Sequence, residues 1–271
     1  MNNPLPLSDT ECKERIAGMF KRFADFCEEN GLRYYVVYGT CLGTVRHNGF
    51  IPWDDDIDVS MPRADYERFV ALCQQGALPG CELLYPGHPK DYMFYYAKLV
   101  DTDTRLENHY MKDLPELGLF IDVFAMDDVR MTPRQMMKYE KTAQRWALPI
   151  RLSGMKKCWE KGGRIKMLVK HCLWKYATLR GFSHWYKKRQ NTIRRLQNRA
   201  PDKDAIDCFF VGERAISAHY FGAGVLHPFE GFMVRVPEKA DEYLTRLYGN
   251  WRQLPPEEAR VSQHDHTAFM R

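Results

Sequence analysis

Residues 34–62 read YYVVYGTCLGTVRHNGFIPWDDDIDVSMP. Residues 34–38 are β-branched and aromatic and stop at Gly39, which is typical of a buried strand followed by a tight turn. Thr40 can cap a helix that begins directly after this turn. The first N–H groups of a helix have no partner within the helix and attract anions. This corner of the chain therefore predicts a phosphate-binding site.

An acidic strand follows that helix. Asp56 and Asp58 alternate with apolar residues, so on a strand both carboxylates project from one face. Two like charges held this close raise each other's pKa unless a cation lies between them, and carboxylate oxygens favour Mg²⁺ or Mn²⁺. A lone acid-x-acid triplet is also compatible with a solvated turn. Four carboxylates within residues 54–58 favour the metal site.

Two isolated charges stand inside apolar strands further along the chain. Asp122 lies in the run 118–128, where burial of an unpaired carboxylate is costly and requires a partner. A metal shared with the acidic strand supplies one, and the alternative is a single polar residue bonded to backbone. Lys98 lies in the run 93–100, where it either faces the acids and neutralises a substrate phosphate or lies on an edge strand.

The composition is that of an ordinary globular protein. The chain has 271 residues, 45% of them hydrophobic and 28% charged, which is enough for one full core with an insertion. Its eight cysteines form no C-x-x-C pair, which favours a reduced cytosolic setting. No secretory signal is visible, and no apolar run reaches the roughly 18–20 residues of a membrane span. We therefore expect a cytoplasmic protein.

The charge is strongly asymmetric. Residues 130–200 contain 20 Lys and Arg against two Glu, a net +18, whereas the remainder has 20 basic and 33 acidic residues, a net −13. Helical periodicity there predicts three helices with breaks near Pro149, Gly162–Gly163 and Gly181. Such a surface suits anionic lipid or an anionic glycan, giving a peripheral position at the inner membrane face. A solvated helical insertion is the alternative, and no motif indicates nucleic acid.

Two motifs carry a family resemblance. Gly39-Thr40-x-Leu42-Gly43-x-Val45-Arg46-His47 is followed by Gly49-Phe50-Ile51-Pro52-Trp53-Asp54-Asp55-Asp56-Ile57-Asp58, and a later segment reads Gly-x-x-Ile-Asp-x-Phe-x-x-Asp from Gly118. Together they closely resemble the signature of the LicD family, which transfers phosphocholine and related groups and belongs to the nucleotidyltransferase superfamily. The resemblance implies an α/β (α+β) fold with a mixed sheet flanked by helices.

The resemblance also implies a reaction and its residues. A phospho-alcohol group, such as phosphocholine, moves from a CDP-activated donor to a hydroxyl of a lipopolysaccharide-like or teichoic-acid-like glycan or glycolipid, and CMP leaves. The reaction is metal-assisted displacement at phosphorus. Asp56 and Asp58 ligate Mg²⁺ or Mn²⁺, and Asp122 completes the site and helps to deprotonate the acceptor. Asp54 or Asp55 joins the metal shell, and the spacing does not decide between them.

The resemblance further implies that the glycine turn binds the phosphates of the donor. Gly39, Thr40 and Gly43 bind them, with Arg46 and Lys98 as charge partners.

We expect three segments in the chain. Residues 1–130 form a nucleotidyltransferase-like core, 131–200 a basic helical insertion, and 201–271 the strands and helix that complete the core. The other predicted elements are helices over 8–30, 62–75 and 238–248, strands over 81–85 and 207–212, and a hairpin over 228–237.

Other functions remain open from sequence. A metal-dependent glycosyltransferase shares the acids but leaves Asp122 and the glycine turn unexplained. A haloacid-dehalogenase-like phosphatase needs a nucleophilic aspartate on the strand that opens its fold. A non-catalytic module docking on membrane or polyanion through 130–200 leaves the three acids without a role. Near the C-terminus, Arg260, His264 and His266 either close over the site or lie in an exposed tail.

Overall fold

The computed structural model describes residues 5–90, 92–158, 164–198, 203–261 and 266–271. Across these residues the chain forms seven α-helices: α1 (Asp9–Glu29), α2 (Tyr38–His47), α3 (Arg63–Gln74), α4 (Pro133–Ser153), α5 (Arg164–Arg180), α6 (Phe182–Gln197) and α7 (Ala240–Tyr248). The same residues form eleven strands: β1 (Tyr35–Val36), β2 (Asp58–Pro62), β3 (Cys81–Leu84), β4 (Ala97–Asp101), β5 (Thr104–Asn108), β6 (Phe120–Met131), β7 (Ile206–Val211), β8 (Arg214–Ser217), β9 (Val225–Phe229), β10 (Phe232–Val236) and β11 (His266–Met270).

A mixed sheet is organised around β6. Its strand order is β1-β2-β6-β4-β3, and β7 pairs with the second half of β6 and with β8. β2 runs parallel to β6, whereas β4 and β7 run antiparallel to it. The predicted α+β class is confirmed, and β4 is an interior strand because it pairs with both β6 and β3.

The main core lies between this sheet and α1. Ser8 caps α1 in a capping box with Glu11, as the sequence predicts. The apolar stripe of the helix buries Phe20 and Phe23 completely, and Phe20 packs edge-on against Phe229 of β9. Burial of each such ring contributes about 1.5–3 kcal/mol, so α1 holds the hairpin β9–β10 against the sheet.

The basic helices share a second core with the sheet. Tyr139 of α4 stacks on Phe210 of β7 with ring centroids 3.7 Å apart, and Ile193 of α6 joins the same buried cluster. Thr132 caps α4 in a capping box with Gln135. The inner faces of α4 and α6 are therefore part of the folded body.

Four predicted boundaries are wrong. The acidic strand begins at Asp58, so Asp56 precedes β2 instead of lying on it. The first strand covers only β1, and α2 begins at Tyr38, which itself takes the positive φ of 50°. The strand expected from 93 begins at Ala97, because the Tyr92 hydroxyl donates to the Tyr96 carbonyl and closes a local loop. Helix α4 continues through Pro149.

The helix tolerates Pro149 because its last turn is held by packing. Proline removes one helical N–H donor, but Ile150 and Leu152 beyond it are buried against α5 and α6. The break at Gly181 is confirmed, and Gly162–Gly163 lie outside the described residues. The helix over 8–30, the helix after Pro62 and the hairpin β9–β10 are also confirmed.

Gly43 and Gly18 give a test of packing. A Cβ on Gly43 lies 2.5 Å from the Gly49 carbonyl oxygen, whereas a Cβ on Gly18 meets nothing within 4 Å. Gly43→Ala should lower the free energy of unfolding by about 1–3 kcal/mol because backbone cannot move aside, and Gly18→Ala should raise it by about 0.5–1 kcal/mol. Urea unfolding measures both. An unchanged stability for Gly43→Ala together with lost substrate binding would assign Gly43 to the substrate site alone.

Candidate functional site

Three charged side chains lie in one row across the sheet. Asp58 of β2 is directly opposite Asp122 of β6, and Asp122 is directly opposite Lys98 of β4. Residues directly opposite each other project from the same face of a sheet. The structure therefore brings together three of the side chains that the sequence singles out.

Lys98 and Asp122 form a buried ion pair. The Lys98 Nζ donates to Asp122 Oδ1 at 2.5 Å, and the two residues are only 2% and 6% exposed. The ammonium also lies 3.3 Å from the centroid of the Phe120 ring. Burial lowers the pKa of Lys98, and Asp122 opposes that shift. The edge-strand interpretation of Lys98 is wrong, because its strand is interior and it faces the acids.

The charged form of Asp58 is destabilised by burial and by the neighbouring carboxylates. Desolvation, followed by the neighbouring charges of Asp56 and Asp122, raises the pKa of Asp58 well above the ordinary aspartate value. Lys98 acts in the opposite direction, and Asp54 adds to the rise. The carboxylates therefore crowd one another around Asp58, which is the condition under which a cation is stabilising.

Two hydrogen bonds fix the backbone of Asp58 next to the other carboxylates. The Asp58 N–H donates to the Thr40 hydroxyl at 2.7 Å, and the Val37 N–H donates to the Asp58 carbonyl at 3.0 Å. Thr40 is not the helix cap, since α2 begins two residues earlier after Val37, which makes no side-chain cap. Its hydroxyl instead fixes the start of β2.

The glycine turn has a packing explanation. Gly39 does not take positive φ; a Cβ there would lie 2.9 Å from Asp54 Oδ2, so glycine lets the acidic loop approach α2. Arg46 is in the last turn of α2, about 9 Å along the axis from Thr40 at 1.5 Å per residue. Its guanidinium donates to the Trp251 carbonyl at 2.7 Å. The phosphate-binding roles of Gly39, Thr40, Gly43 and Arg46 stay predictions.

The carboxylates are of the ligand type that binds divalent cations such as Mg²⁺. They are hard oxygen donors, and Asp58 is destabilised by its neighbours in a way that bound positive charge relieves. Within the described parts of the chain, however, no three His, Cys, Asp or Glu side chains are arranged as a ready set of ligands. Lys98 engages one oxygen of Asp122 in this arrangement. The metal site and the choice between Asp54 and Asp55 stay predictions.

Three tyrosines near the acids were not anticipated. The charge of Asp58 adds to burial in raising the pKa values of Tyr38, Tyr96 and Tyr248, and Asp122 acts on Tyr96 as well. They come from α2, the segment before β4, and α7. Their wide separation in the chain leaves no spacing signal, so sequence analysis misses them.

The C-terminal residues are partly placed. The Arg260 guanidinium lies 5.7 Å from the Trp53 ring centroid. Trp53 directly precedes the acidic residues in the sequence. His266 begins β11, which pairs with β5, so this part is not a free tail. His264 lies outside the described residues.

The fold and the site define an α+β protein whose acidic centre lies on two parallel strands at the middle of a mixed sheet. Residues 31–153, which carry both strands and Lys98, match the family model described as LicD/FKTN/FKRP, nucleotidyltransferase domain. This segment is therefore similar to the nucleotidyltransferase domain of the LicD family.

Curated relatives extend the similarity beyond that domain. The chain is 29% identical over 263 residues to the lipopolysaccharide cholinephosphotransferase LicD of Haemophilus influenzae, a match that covers 92% of each chain. An uncharacterized protein of Rickettsia prowazekii is 27% identical over 135 residues, which cover 40% of this chain and 49% of that protein. One from Rickettsia typhi is 35% identical over 57 residues, 21% of this chain and 18% of its own.

The buried ion pair predicts a large asymmetry between single and double substitutions. Lys98→Met leaves Asp122 buried without this cation and should lower the free energy of unfolding by about 3–5 kcal/mol. The double variant Lys98→Met with Asp122→Leu should recover much of that loss, because the buried Asp122 carboxylate is removed together with its cation and no longer raises the pKa of Asp58. Urea unfolding at pH 7 measures both.

An exposed pair provides the matched control. Lys21 and Asp25 form an ion pair on α1 with both side chains 56% exposed. Lys21→Met should change stability by at most about 1 kcal/mol. Equal effects of Lys98→Met and Lys21→Met would show that the row is not held by this pair.

Proposed function

We propose that this protein transfers phosphocholine, or a related phospho-alcohol, from a CDP-activated donor to a hydroxyl group of a cell-surface glycan or glycolipid, with lipopolysaccharide and teichoic-acid-like polymers as candidate acceptors. The observation that carries the proposal is the direct pairing of Asp58 with Asp122 on β2 and β6, inside the family segment. Similarity over nearly the whole chain to a lipopolysaccharide cholinephosphotransferase supports phosphocholine as the group transferred.

The reaction is a displacement at phosphorus. The acceptor oxygen forms a bond to the phosphorus that carries the alcohol, the bond from that phosphorus to the CMP oxygen breaks, and CMP leaves. Asp122 accepts the hydroxyl proton in this scheme. Lys98 orients the Asp122 carboxylate through their 2.5 Å contact and offsets its charge. Thr40 keeps Asp58 at the start of its strand.

We propose Mg²⁺ or Mn²⁺ as the cofactor, held by Asp56, Asp58 and Asp122 with Asp54. When bound, such an ion stabilises the charge on the attacking and departing oxygens. The electrostatic crowding at Asp58 supports this assignment, since carboxylates that raise one another's pKa gain stability from a neighbouring cation.

Binding and transfer can be tested with one pair of variants. With Mg²⁺ present, a CDP-alcohol such as CDP-choline should raise the melting temperature of the wild type, and EDTA should abolish the shift. Asp58→Asn should lose the shift and at least about 100-fold in transfer rate, because a charged ligand is removed. Asp128→Asn, an exposed aspartate on the same strand as Asp122, should retain both.

The same screen separates the alternatives. A shift with UDP- or GDP-sugars and none with CDP-ethanolamine, CDP-ribitol, CDP-glycerol or CDP-choline would support a glycosyltransferase. Folded Asp58→Asn that retains full transfer would contradict the role of the acids.

We also propose that helix α5 lies on an anionic membrane surface at the cytoplasmic side. One face of α5 is anchored, since Ala177 is buried and the Trp174 indole donates to the Met155 carbonyl. The opposite face exposes apolar side chains: Ile165, Leu168, Val169, Leu173, Tyr176 and Leu179. At 3.6 residues per turn these fall within an arc of about 140°.

The positive charge around this face of α5 favours an anionic lipid surface as its partner. Exposed Lys166 and Lys175 border the apolar arc, and residues 130–200 carry a net +18. An apolar stripe edged by lysines is the pattern of a helix that lies in the interface of an anionic bilayer. None of the helices in the described part of the chain has the length and apolar character needed to cross a membrane.

Vesicle binding tests this contact. The double variant Leu168→Glu, Leu179→Glu should reduce sedimentation with phosphatidylglycerol vesicles at least about tenfold. Two apolar side chains no longer enter the bilayer interface, and two negative charges are added. Leu226→Glu, Met233→Glu places the same charge on the exposed hairpin β9–β10 and should bind normally. Equal binding to phosphatidylcholine, or no response to salt, would contradict an electrostatic membrane contact.

A further inference from the structure

A cavity of about 530 Å³ lies beside the acidic row. Residues of α3, α4, α6 and the sheet line it, among them Tyr96 and Phe124 next to the sheet. Phe124 is two residues beyond Asp122 on β6 and so projects from the same face of the sheet. Tyr96 packs on Phe124 with ring centroids 4.6 Å apart. Burial and the charges of Asp122 and Asp58 raise the pKa of Tyr96, so this lining residue is near the acidic row. The volume of the cavity is typical of a small-molecule site.

Tyrosines dominate the lining. Six of them reach the cavity from the described elements: Tyr66, Tyr85, Tyr95, Tyr96, Tyr139 and Tyr186. A tyrosine offers a flat apolar ring and a hydroxyl at its edge. Such walls suit a ligand that combines ring faces with hydroxyl groups.

Arginines make the same cavity electropositive. Arg63, Arg189 and Arg194 line it, and Asp127 is the acid among the described lining residues. Asp127 binds Arg63 through two hydrogen bonds of 2.7 and 2.8 Å, so that charge is compensated. Glu213 lies nearby and accepts the Tyr95 hydroxyl at 2.8 Å. The remaining arginines leave an excess of positive charge in the lining.

Arg189 is the most informative of these side chains. It is only 5% exposed, its guanidinium stacks 4.2 Å from the Tyr95 ring centroid, and one terminal nitrogen donates to the Gly212 carbonyl at 2.6 Å. Its Nε is buried and has no hydrogen-bond partner among the described residues. A buried donor without an acceptor is costly, and an oxygen of an anionic ligand is an acceptor that would satisfy it.

We infer that this cavity binds a phosphate-bearing sugar, with Arg189 and Arg194 contacting the phosphate and the tyrosines lying against the sugar ring. A quaternary ammonium group does not suit it, because uncompensated guanidinium charge repels a cation. The inference rests on the proposed function for its two candidate sources, which are a phosphorylated sugar of the acceptor glycan and the ribose phosphate of the donor nucleotide.

Neighbouring arginines on α6 allow a matched test. Arg194 and Arg195 are both exposed, but only Arg194 lines the cavity. Arg194→Gln should weaken binding of glucose 6-phosphate, of CMP or of both at least about tenfold in isothermal titration, because a charge-assisted hydrogen bond is lost. Arg195→Gln should bind as the wild type does. Arg189→Lys keeps the charge but removes the Nε donor, and should weaken the same ligand.

Each outcome has one meaning. Loss for glucose 6-phosphate alone identifies the acceptor, loss for CMP alone identifies the donor, and loss for both places the two in one cavity. Glucose and cytidine, which lack the phosphate, should bind at least tenfold more weakly than their phosphates to the wild type. No binding of either phosphate, or equal binding by folded Arg194→Gln, Arg189→Lys and wild type, would overturn the inference.

Failure of this inference is distinct from failure of the proposed function. If transfer from a CDP-alcohol proceeds while the arginine variants bind normally, the cavity assignment fails and the reaction stands. If arginine-dependent binding is observed but no CDP-alcohol supports transfer, the reaction fails and the cavity stands. Circular dichroism melting of Arg189→Lys shows whether its loss of the Gly212 contact affects folding.

Discussion

The register of three strands places Asp58, Asp122 and Lys98 side by side, and the rest of the site depends on that register. A slip of one residue would turn each side chain to the opposite face of the sheet. The Asp122 N–H donates to the Ile57 carbonyl, and the Thr40 hydroxyl accepts from the Asp58 N–H, so backbone contacts oppose such a slip. The resulting crowding of carboxylates is offset by one buried ammonium.

The acidic row and the arginine-lined cavity form adjoining regions of opposite charge. Tyr96 lines the cavity and packs on Phe124, and burial together with the charges of Asp122 and Asp58 raises its pKa, so this tyrosine connects the two regions. Lys98 already compensates Asp122 within the row, whereas Arg189 and Arg194 leave an excess of positive charge in the cavity lining.

The basic helices have two different surfaces. Tyr139 and Ile193 bury the inner faces of α4 and α6 against the sheet, and α6 also supplies arginines to the cavity. Helix α5 packs through Ala177 and leaves a broad apolar face exposed. Helices α4 and α6 therefore contribute to the cavity, and α5 contributes an exposed surface. The division of the chain into segments 1–130, 131–200 and 201–271 stays a prediction.

Local features of the chain follow directly from short stretches of sequence. Ser8 with Glu11 marks the start of α1, because this signal acts over a few residues. The predicted acidic strand is shorter than the Asp-x-Asp alternation suggests, since Asp58 begins β2 and Asp56 precedes it. Other placements come only from the folded arrangement: Lys98 faces Asp122, and β11 pairs with β5. Tyr248 lies near Asp58, and Arg189 lines the cavity. These placements depend on strand order and packing between distant segments, which spacing along the chain does not encode.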